Sequence, residues 1–142
     1  MRKSVIFIIS IIYIASIVVV TFFGMQIKMD QFPIVFKSVE ITSYDEIVSG
    51  KKFLYIDFDE TEGYGSTFIT YKYSPNNVTY PEKVEFAILG NNEYEEDGEI
   101  KKYAEISSIG ELVVYKKNRM VTVTITTLDD GKKSDTVRVY CE

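Results

Sequence analysis

The 142-residue sequence contains no histidine, no tryptophan and only one cysteine, Cys141. A single cysteine cannot form an internal disulfide, and without histidine no Cys/His zinc site can form. The sequence also lacks the side chain that most often serves as a general base near neutral pH, and it shows no other catalytic motif. We therefore expect a protein that is not an enzyme and binds no cofactor. Cys141 is interpreted as a small buried hydrophobic residue, with an intermolecular disulfide as the alternative.

Basic residues are in the minority. After Lys3 the chain carries 14 basic and 21 acidic residues, a net charge of −7. A domain of this charge repels the phosphate backbone of nucleic acids and the anionic headgroups of a membrane surface. We therefore expect no nucleic-acid partner and no domain that lies flat on a lipid surface.

One long hydrophobic run stands at the start of the chain. Residues 5–24, VIFIISIIYIASIVVVTFFG, carry no charge, and as a helix they would span the ~30 Å hydrocarbon core of a bilayer. The preceding Arg2 and Lys3 predict a cytoplasmic N-terminus. A cleaved signal peptide is the alternative, but the run is longer than usual and Phe22-Phe23-Gly24 offers no small-residue cleavage pattern. We predict an uncleaved single-pass anchor at 1–24, a juxtamembrane spacer at 25–35 and an extracellular domain at 36–142.

The residues after Pro33 alternate between apolar and polar, with turn signals between the alternating segments. This pattern predicts about eight short strands, at 36–43, 53–59, 67–73, 83–89, 102–107, 111–116, 120–127 and 136–141. Residues 60–66 are predicted to be a loop and residues 90–98 an acidic loop. Strands with one apolar and one polar face favour two antiparallel sheets packed face to face. The predicted fold is an all-β, immunoglobulin-like antiparallel β-sandwich; one sheet closed on itself is the alternative.

Four stretches, taken in order, resemble a known family. They are FKSVEIT at 36–42, YKYSPNNVTYPEKVEFAI at 71–88, YAEISSIGELVVY at 103–115 and MVTVTITTLDDGKKSDTVRVYC at 120–141. Together they resemble the bacterial immunoglobulin-like domain of group 2, the intimin/invasin-type surface module. The resemblance implies a structural or adhesive module of the cell surface without catalysis. Because Phe86 stands where the family has tryptophan, and Lys117-Asn118-Arg119 where it has glycine, no binding residue is carried over.

Two sets of side chains are candidates for a site. The first is an acidic cluster that could offer oxygens to calcium, although its spacing does not fit the EF-hand pattern: Asp57, Asp59, Glu60 and Glu62. A solvated acidic surface is the simpler interpretation of this cluster. The second set consists of tyrosines expected at the surface, a residue type enriched in interfaces: Tyr55, Tyr64, Tyr80, Tyr94 and Tyr115.

The predicted function is a membrane-anchored extracytoplasmic module with a structural or protein-interaction role. Its partner would be another protein or a component of the cell envelope, and residues 5–24 would contact the membrane. One alternative is an accessory subunit of a larger membrane complex. Another is a cell-wall or carbohydrate-binding module, in which tyrosine would replace the usual tryptophan.

Overall fold

The computed structural model describes residues 3–30 and 33–142, and within its helix the side chains of residue 5 and residues 8–23. The chain divides into two units, Met1–Pro33 and Ile34–Glu142. The first unit contains helix α1, Lys3–Asp30. Residues 25–30, which were predicted to be part of the spacer, belong to this helix. They include no glycine or proline, and the first proline of the chain is Pro33. Among the described residues, no helix has both the length and the apolar character needed to cross a membrane.

The second unit is mostly β and forms several sheets, which confirms the predicted fold class in its general form and is consistent with a β-sandwich. The described residues form twelve strands rather than eight. Their bounds are β1 Ser38–Ile41, β2 Glu46–Val48, β3 Lys51–Ile56, β4 Gly65–Phe68, β5 Tyr71–Ser74, β6 Val84–Leu89, β7 Glu93–Glu96, β8 Glu99–Lys102, β9 Ala104–Ile106, β10 Glu111–Val114, β11 Arg119–Thr127 and β12 Ser134–Cys141.

The largest sheet has five strands in the order β2-β3-β12-β11-β6. Its neighbours are antiparallel except β3 and β12, which run parallel with Leu54 opposite Val139. Two smaller sheets, β1-β5 and β4-β10-β9, contribute to the same core, and β7 pairs with β8 alone. The parallel pair places the last strand of the chain beside one of its first strands. No local sequence pattern predicts such a contact.

The core follows the alternation seen in the sequence. Val121, Val123 and Ile125 of β11 are buried together with Val137 and Val139 of β12. Burying a side chain of this size contributes about 1.5–3 kcal/mol. The remaining buried members of the core are Val39, Ile41, Ile56, Ile69, Ala104, Leu112, Val114 and Cys141.

Cys141 is fully buried, as expected of a small hydrophobic residue. It packs against the backbone of Gly65, where an added Cβ would lie 2.8 Å from the Cys141 Sγ. Burial raises the pKa of the Cys141 thiol, since the thiolate would be poorly solvated. The interpretation of Cys141 as a packing residue is confirmed.

The prediction of one strand over residues 67–73 is wrong, because the chain changes sheets within it. β4 pairs with β10, whereas β5 pairs with β1. Between them, the Ile69 N–H donates to the carbonyl of Gly110 at 2.8 Å and the Thr70 N–H donates to the Ser43 hydroxyl at 3.0 Å. Alternation continues through the break, and for this reason periodicity did not reveal it.

The prediction of an acidic loop at 90–98 is also wrong, since most of this segment belongs to the hairpin β7–β8. Asp97 and Gly98 both have positive φ, 57° and 80°, as a two-residue hairpin turn requires. Strand β2 was missed as well: its three residues are too few to show alternation, and all are exposed. Both errors concern strands with no buried residue.

Candidate functional site

Asp59 and Glu60, two of the acidic side chains considered for calcium, have partners of their own in the structure. Asp59 Oδ1 accepts the N–H groups of Thr61 and Glu62 at 2.7 and 3.1 Å, and these hydrogen bonds lower the pKa of Asp59. The Glu60 carboxylate lies 2.6 Å from Lys117 Nζ. Within the described residues, no three acidic, cysteine or histidine side chains are grouped so that they could hold a metal ion. Asp59 thus caps a turn, and Glu60 pairs with a lysine.

The five candidate tyrosines do not form one patch. Tyr55 projects from the five-stranded sheet, and Tyr64 is a half-buried residue of the β3–β4 loop. Tyr80 lies elsewhere, with Lys83 over its ring. Tyr94 and Tyr115 line the same groove beside the β7–β8 hairpin. The tyrosines therefore mark two separate candidate surfaces, one flat and one concave.

The flat surface is the side of the five-stranded sheet that faces away from the core, called here the outer sheet face. Because successive side chains of a strand point to opposite faces, residues of the outer sheet face alternate with residues that point into the core. Register sets Tyr55, Tyr140 and Met120 side by side on β3, β12 and β11. The apolar and aromatic members of the outer sheet face are Val48, Phe53, Tyr55, Ala87, Leu89, Met120 and Tyr140.

Several of these side chains are open to solvent in spite of their apolar character. Tyr55 is 41% exposed, Met120 49% and Leu89 50%. The Tyr55 and Tyr140 rings meet edge to face at 6.3 Å. The Tyr55 hydroxyl donates to Glu46 at 2.7 Å, and this hydrogen bond raises the pKa of Tyr55. Because its orientation is fixed in this way, little side-chain entropy would be lost when the ring is covered.

The concave surface is a groove around strand β9, called here the Tyr115 groove. It consists of two shallow hollows of about 490 Å³ each that share Lys102, Glu105 and Tyr115. One hollow continues over Ile106 and Val113, and the other continues over Ile100 and Tyr94. These residues come from β7, β8, β9, β10 and the position directly after β10.

Tyr94, which lines the groove, belongs to a stack of rings and cations. Tyr94 stacks on Tyr103 with ring centroids 4.7 Å apart. Lys116 Nζ lies 4.4 Å from the Tyr94 centroid, and the Arg119 guanidinium lies 4.0 Å from the Tyr103 centroid. Such contacts are each worth about 0.5–1 kcal/mol at exposed positions. The stack holds the β7–β8 hairpin against the segment that follows β10.

Ion pairs join the charged side chains in and beside the groove. Glu96 accepts from Lys101 at 3.0 Å and lies 3.7 Å from Lys116, and these lysines lower the pKa of Glu96. Glu105 lies 3.2 Å from Lys102 Nζ and accepts the Tyr115 hydroxyl at 3.2 Å. Burial, and next the charge of Glu105, raise the pKa of Tyr115. The rim thus combines positive and negative groups already in contact.

No model of a known protein family matches the chain, and no curated protein is significantly similar to it.

Proposed function

We propose that this protein is a membrane-anchored, extracytoplasmic immunoglobulin-like module that binds another protein of the cell envelope through its outer sheet face. The observation that carries the proposal is the row formed by Tyr55, Tyr140 and Met120, with Leu89 and Phe53 in the neighbouring row. Interface centres are enriched in tyrosine, phenylalanine and methionine, whereas a solvated sheet face is usually polar.

The shape of this face favours a macromolecular partner. It is one side of a five-stranded sheet, and strands about 4.8 Å apart give it a width of roughly 20 Å. A small molecule would leave most of such a surface uncovered, whereas a protein can cover all of it.

The charges on the face also fit a protein surface. Glu46 and Glu85 lie near its two edges, and Lys51 and Arg138 lie on its inner strands, so two acidic and two basic side chains balance. Arg138 packs over the Phe53 ring at 5.7 Å. The chain after Lys3 carries a net charge of −7, and this balanced face therefore opposes an approaching acidic protein less than the average surface does.

The strand order supports the immunoglobulin-like part of the proposal. β12 lies between β11 and β3, and β4 and β5 pair with different partners, so the chain crosses between layers as in Greek-key sandwiches. Membership in group 2 of the bacterial immunoglobulin-like domains remains a proposal that rests on the ordered sequence stretches between residues 36 and 141.

The anchor is proposed from the uncharged run at 5–24 and the two basic residues before it. Membrane fractionation and protease treatment of intact cells, with a tag after Glu142, test it. We expect the full-length chain in the membrane fraction and a tag that is digested from outside. A shortened chain in the medium would identify a cleaved signal peptide, and a tag cut only after lysis would invert the topology.

Site-specific photocrosslinking tests the binding face. A photoreactive amino acid at Met120, in the full chain in its own membrane, should form a discrete adduct with another protein. The same group at exposed Asn76, which lies in the turn after β5, is the matched control. Adding Leu89→Lys should remove the Met120 adduct by placing a charge in the interface. Equal adducts from both positions, or none from Met120, would refute this face as the binding surface.

A further inference from the structure

The Tyr115 groove has the chemistry of a second binding site, separate from the outer sheet face. Tyr115 is 40% exposed, and no other ring or cation among the described residues stacks on it. Ile100, which is 75% exposed, lies in one hollow, and half-buried Ile106 and Val113 lie in the other. The groove therefore offers an open aromatic ring with apolar surface on both sides.

The polar rim of the groove favours an uncharged ligand. Lys102 lies 3.2 Å from Glu105, and Lys101 lies 3.0 Å from Glu96, so each lysine already has a carboxylate partner. An anion would compete with these carboxylates, and a cation would compete with the lysines. A hydroxyl group can instead donate to a carboxylate and accept from an ammonium group without breaking the pair.

The free edge of β9 is partly occupied by a side chain of this protein. The Asn92 side chain donates to the Ala104 carbonyl at 2.7 Å, and its oxygen accepts the Ala104 N–H at 3.0 Å. The main-chain groups of Ala104 that strand addition on β9 would use are thus occupied. At Ala104, therefore, a ligand would bind through side chains and not by strand addition.

We infer that the Tyr115 groove binds a neutral carbohydrate, with one sugar ring stacked on Tyr115 and its hydroxyl groups on Lys102 and Glu105. A sugar ring has an apolar face of C–H bonds and a rim of hydroxyl groups, which match an open aromatic ring with a paired polar rim. Each hollow, about 490 Å³, falls within the usual 300–1,000 Å³ of ligand pockets.

Titration of the full chain in alkylphosphocholine micelles tests this inference, since detergents with sugar headgroups could occupy the groove. The probes are soluble oligosaccharides of glucose, mannose and N-acetylglucosamine, with oligogalacturonate as the anionic comparison, followed by saturation-transfer NMR. We expect at least one neutral oligosaccharide to bind, and more tightly than the anionic one. Binding by none of the three neutral probes, or tighter binding of oligogalacturonate, would overturn the inference.

Three variants locate the binding. Tyr115→Ala should weaken it about tenfold, because the stacking surface is lost, whereas Tyr115→Phe keeps the ring and should weaken it less than about threefold. Tyr80→Ala removes a comparably exposed tyrosine outside the groove and should have no effect. A circular dichroism melt identifies any variant that fails to fold. If Tyr115→Ala folds and binds like the original chain, or if Tyr115→Phe loses as much as Tyr115→Ala, the proposed stacking is wrong.

Discussion

The two Asp-Gly hairpins of the β domain share a turn signal but are stabilised in different ways. The β11–β12 hairpin, with Asp130-Gly131 at its turn, has buried residues in both strands. The β7–β8 hairpin, with Asp97-Gly98, has none, and only Tyr94 among its strand residues is even half-buried. Its ring stack and ion pairs replace a core. The comparison shows that turn chemistry specifies where a hairpin forms, whereas burial decides how much the fold depends on it.

The difference extends to the carboxylates. Asp129 and Asp135, at the β11–β12 hairpin, accept the N–H groups of Phe36 and Ile41 at 2.6 and 2.7 Å. They fasten the first segment of the domain to its last hairpin. The carboxylate of Glu96 in the β7–β8 hairpin instead pairs with exposed lysines, and such pairs contribute little to stability. We expect mutations of matched type to have unequal effects in the two hairpins.

The largest contrast should come from a pair of isoleucines. Ile125 in β11 is fully buried, whereas Ile100 in β8 is 75% exposed. Ile125→Ala should lower the free energy of unfolding by about 2–5 kcal/mol, since it removes buried methyl groups and leaves a cavity. Ile100→Ala should change it by less than about 0.5 kcal/mol. Chemical denaturation measures both, and a similar loss in the two variants would mean that the hairpins are equally integrated.

A smaller contrast is expected between the carboxylates. Asp135 Oδ2 lies 2.6 Å from Lys52 Nζ, and the Lys52 side chain is only 12% exposed. Asp135→Asn should cost about 1–3 kcal/mol, because it removes the nearer and less exposed of the two carboxylates that pair with a largely buried ammonium group. Glu96→Gln, at an exposed pair, should leave the denaturation midpoint unchanged. A midpoint for Asp135→Asn that also stays unchanged would show that Glu40, which already lies 3.4 Å from Lys52 Nζ, is a sufficient partner.

Acid should act on the same hairpin. Burial alone would raise the pKa of Asp135, but hydrogen bonds from Lys52 and the Ile41 N–H outweigh it and leave the pKa lowered. The pKa of Asp129 is also lowered. Burial alone would raise it, but hydrogen bonds, the first of them from the Phe36 N–H, outweigh burial. A carboxylate with a lowered pKa stabilises the fold above its unfolded pKa of about 3.9 and loses that contribution as the pH falls through its folded pKa.

Unfolding free energies measured from pH 7 down to pH 3 test this expectation. The original chain should lose stability below about pH 4. The free energy of unfolding of Asp135→Asn should fall less over the same pH range, because the asparagine side chain does not titrate. Equal slopes for the two chains would mean that Asp135 has an ordinary pKa in the folded protein.

Sequence patterns predicted the elements that bury one face. Val121, Val123 and Ile125 alternate with threonines, and this pattern predicted β11 almost to its ends. The same reasoning failed for β7 and β8, where five acidic residues concealed the Asp97-Gly98 turn signal. The parallel pairing of β3 with β12 could not be predicted, since it joins segments more than eighty residues apart.

For the candidate site, the sequence predicted the residue type, tyrosine, but not which tyrosines lie together. Tyr55, Tyr80 and Tyr115 are exposed, as expected, whereas Tyr64 and Tyr94 are half-buried. Tyr55 lies on the outer sheet face, and Tyr94 and Tyr115 lie in the Tyr115 groove. The partners of Tyr94 in the ring stack, Tyr103 and Lys116, had no local signal. Their positions depend on how β8 and the segment after β10 fold together.

The smallest effect on global stability should come from the ring stack itself. Tyr94→Ala removes the contacts of this ring with Tyr103 and Lys116, so the β7–β8 hairpin should open more often while the rest of the domain stays folded. We expect a loss of about 0.5–1.5 kcal/mol, confined to the hairpin. Native-state hydrogen exchange should then be faster for amides of 93–102 and unchanged for those of β11. Tyr94→Phe keeps the ring and should exchange like the original chain. If β11 also exchanges faster in Tyr94→Ala, the hairpin unfolds together with the core and the contrast between the two hairpins does not hold.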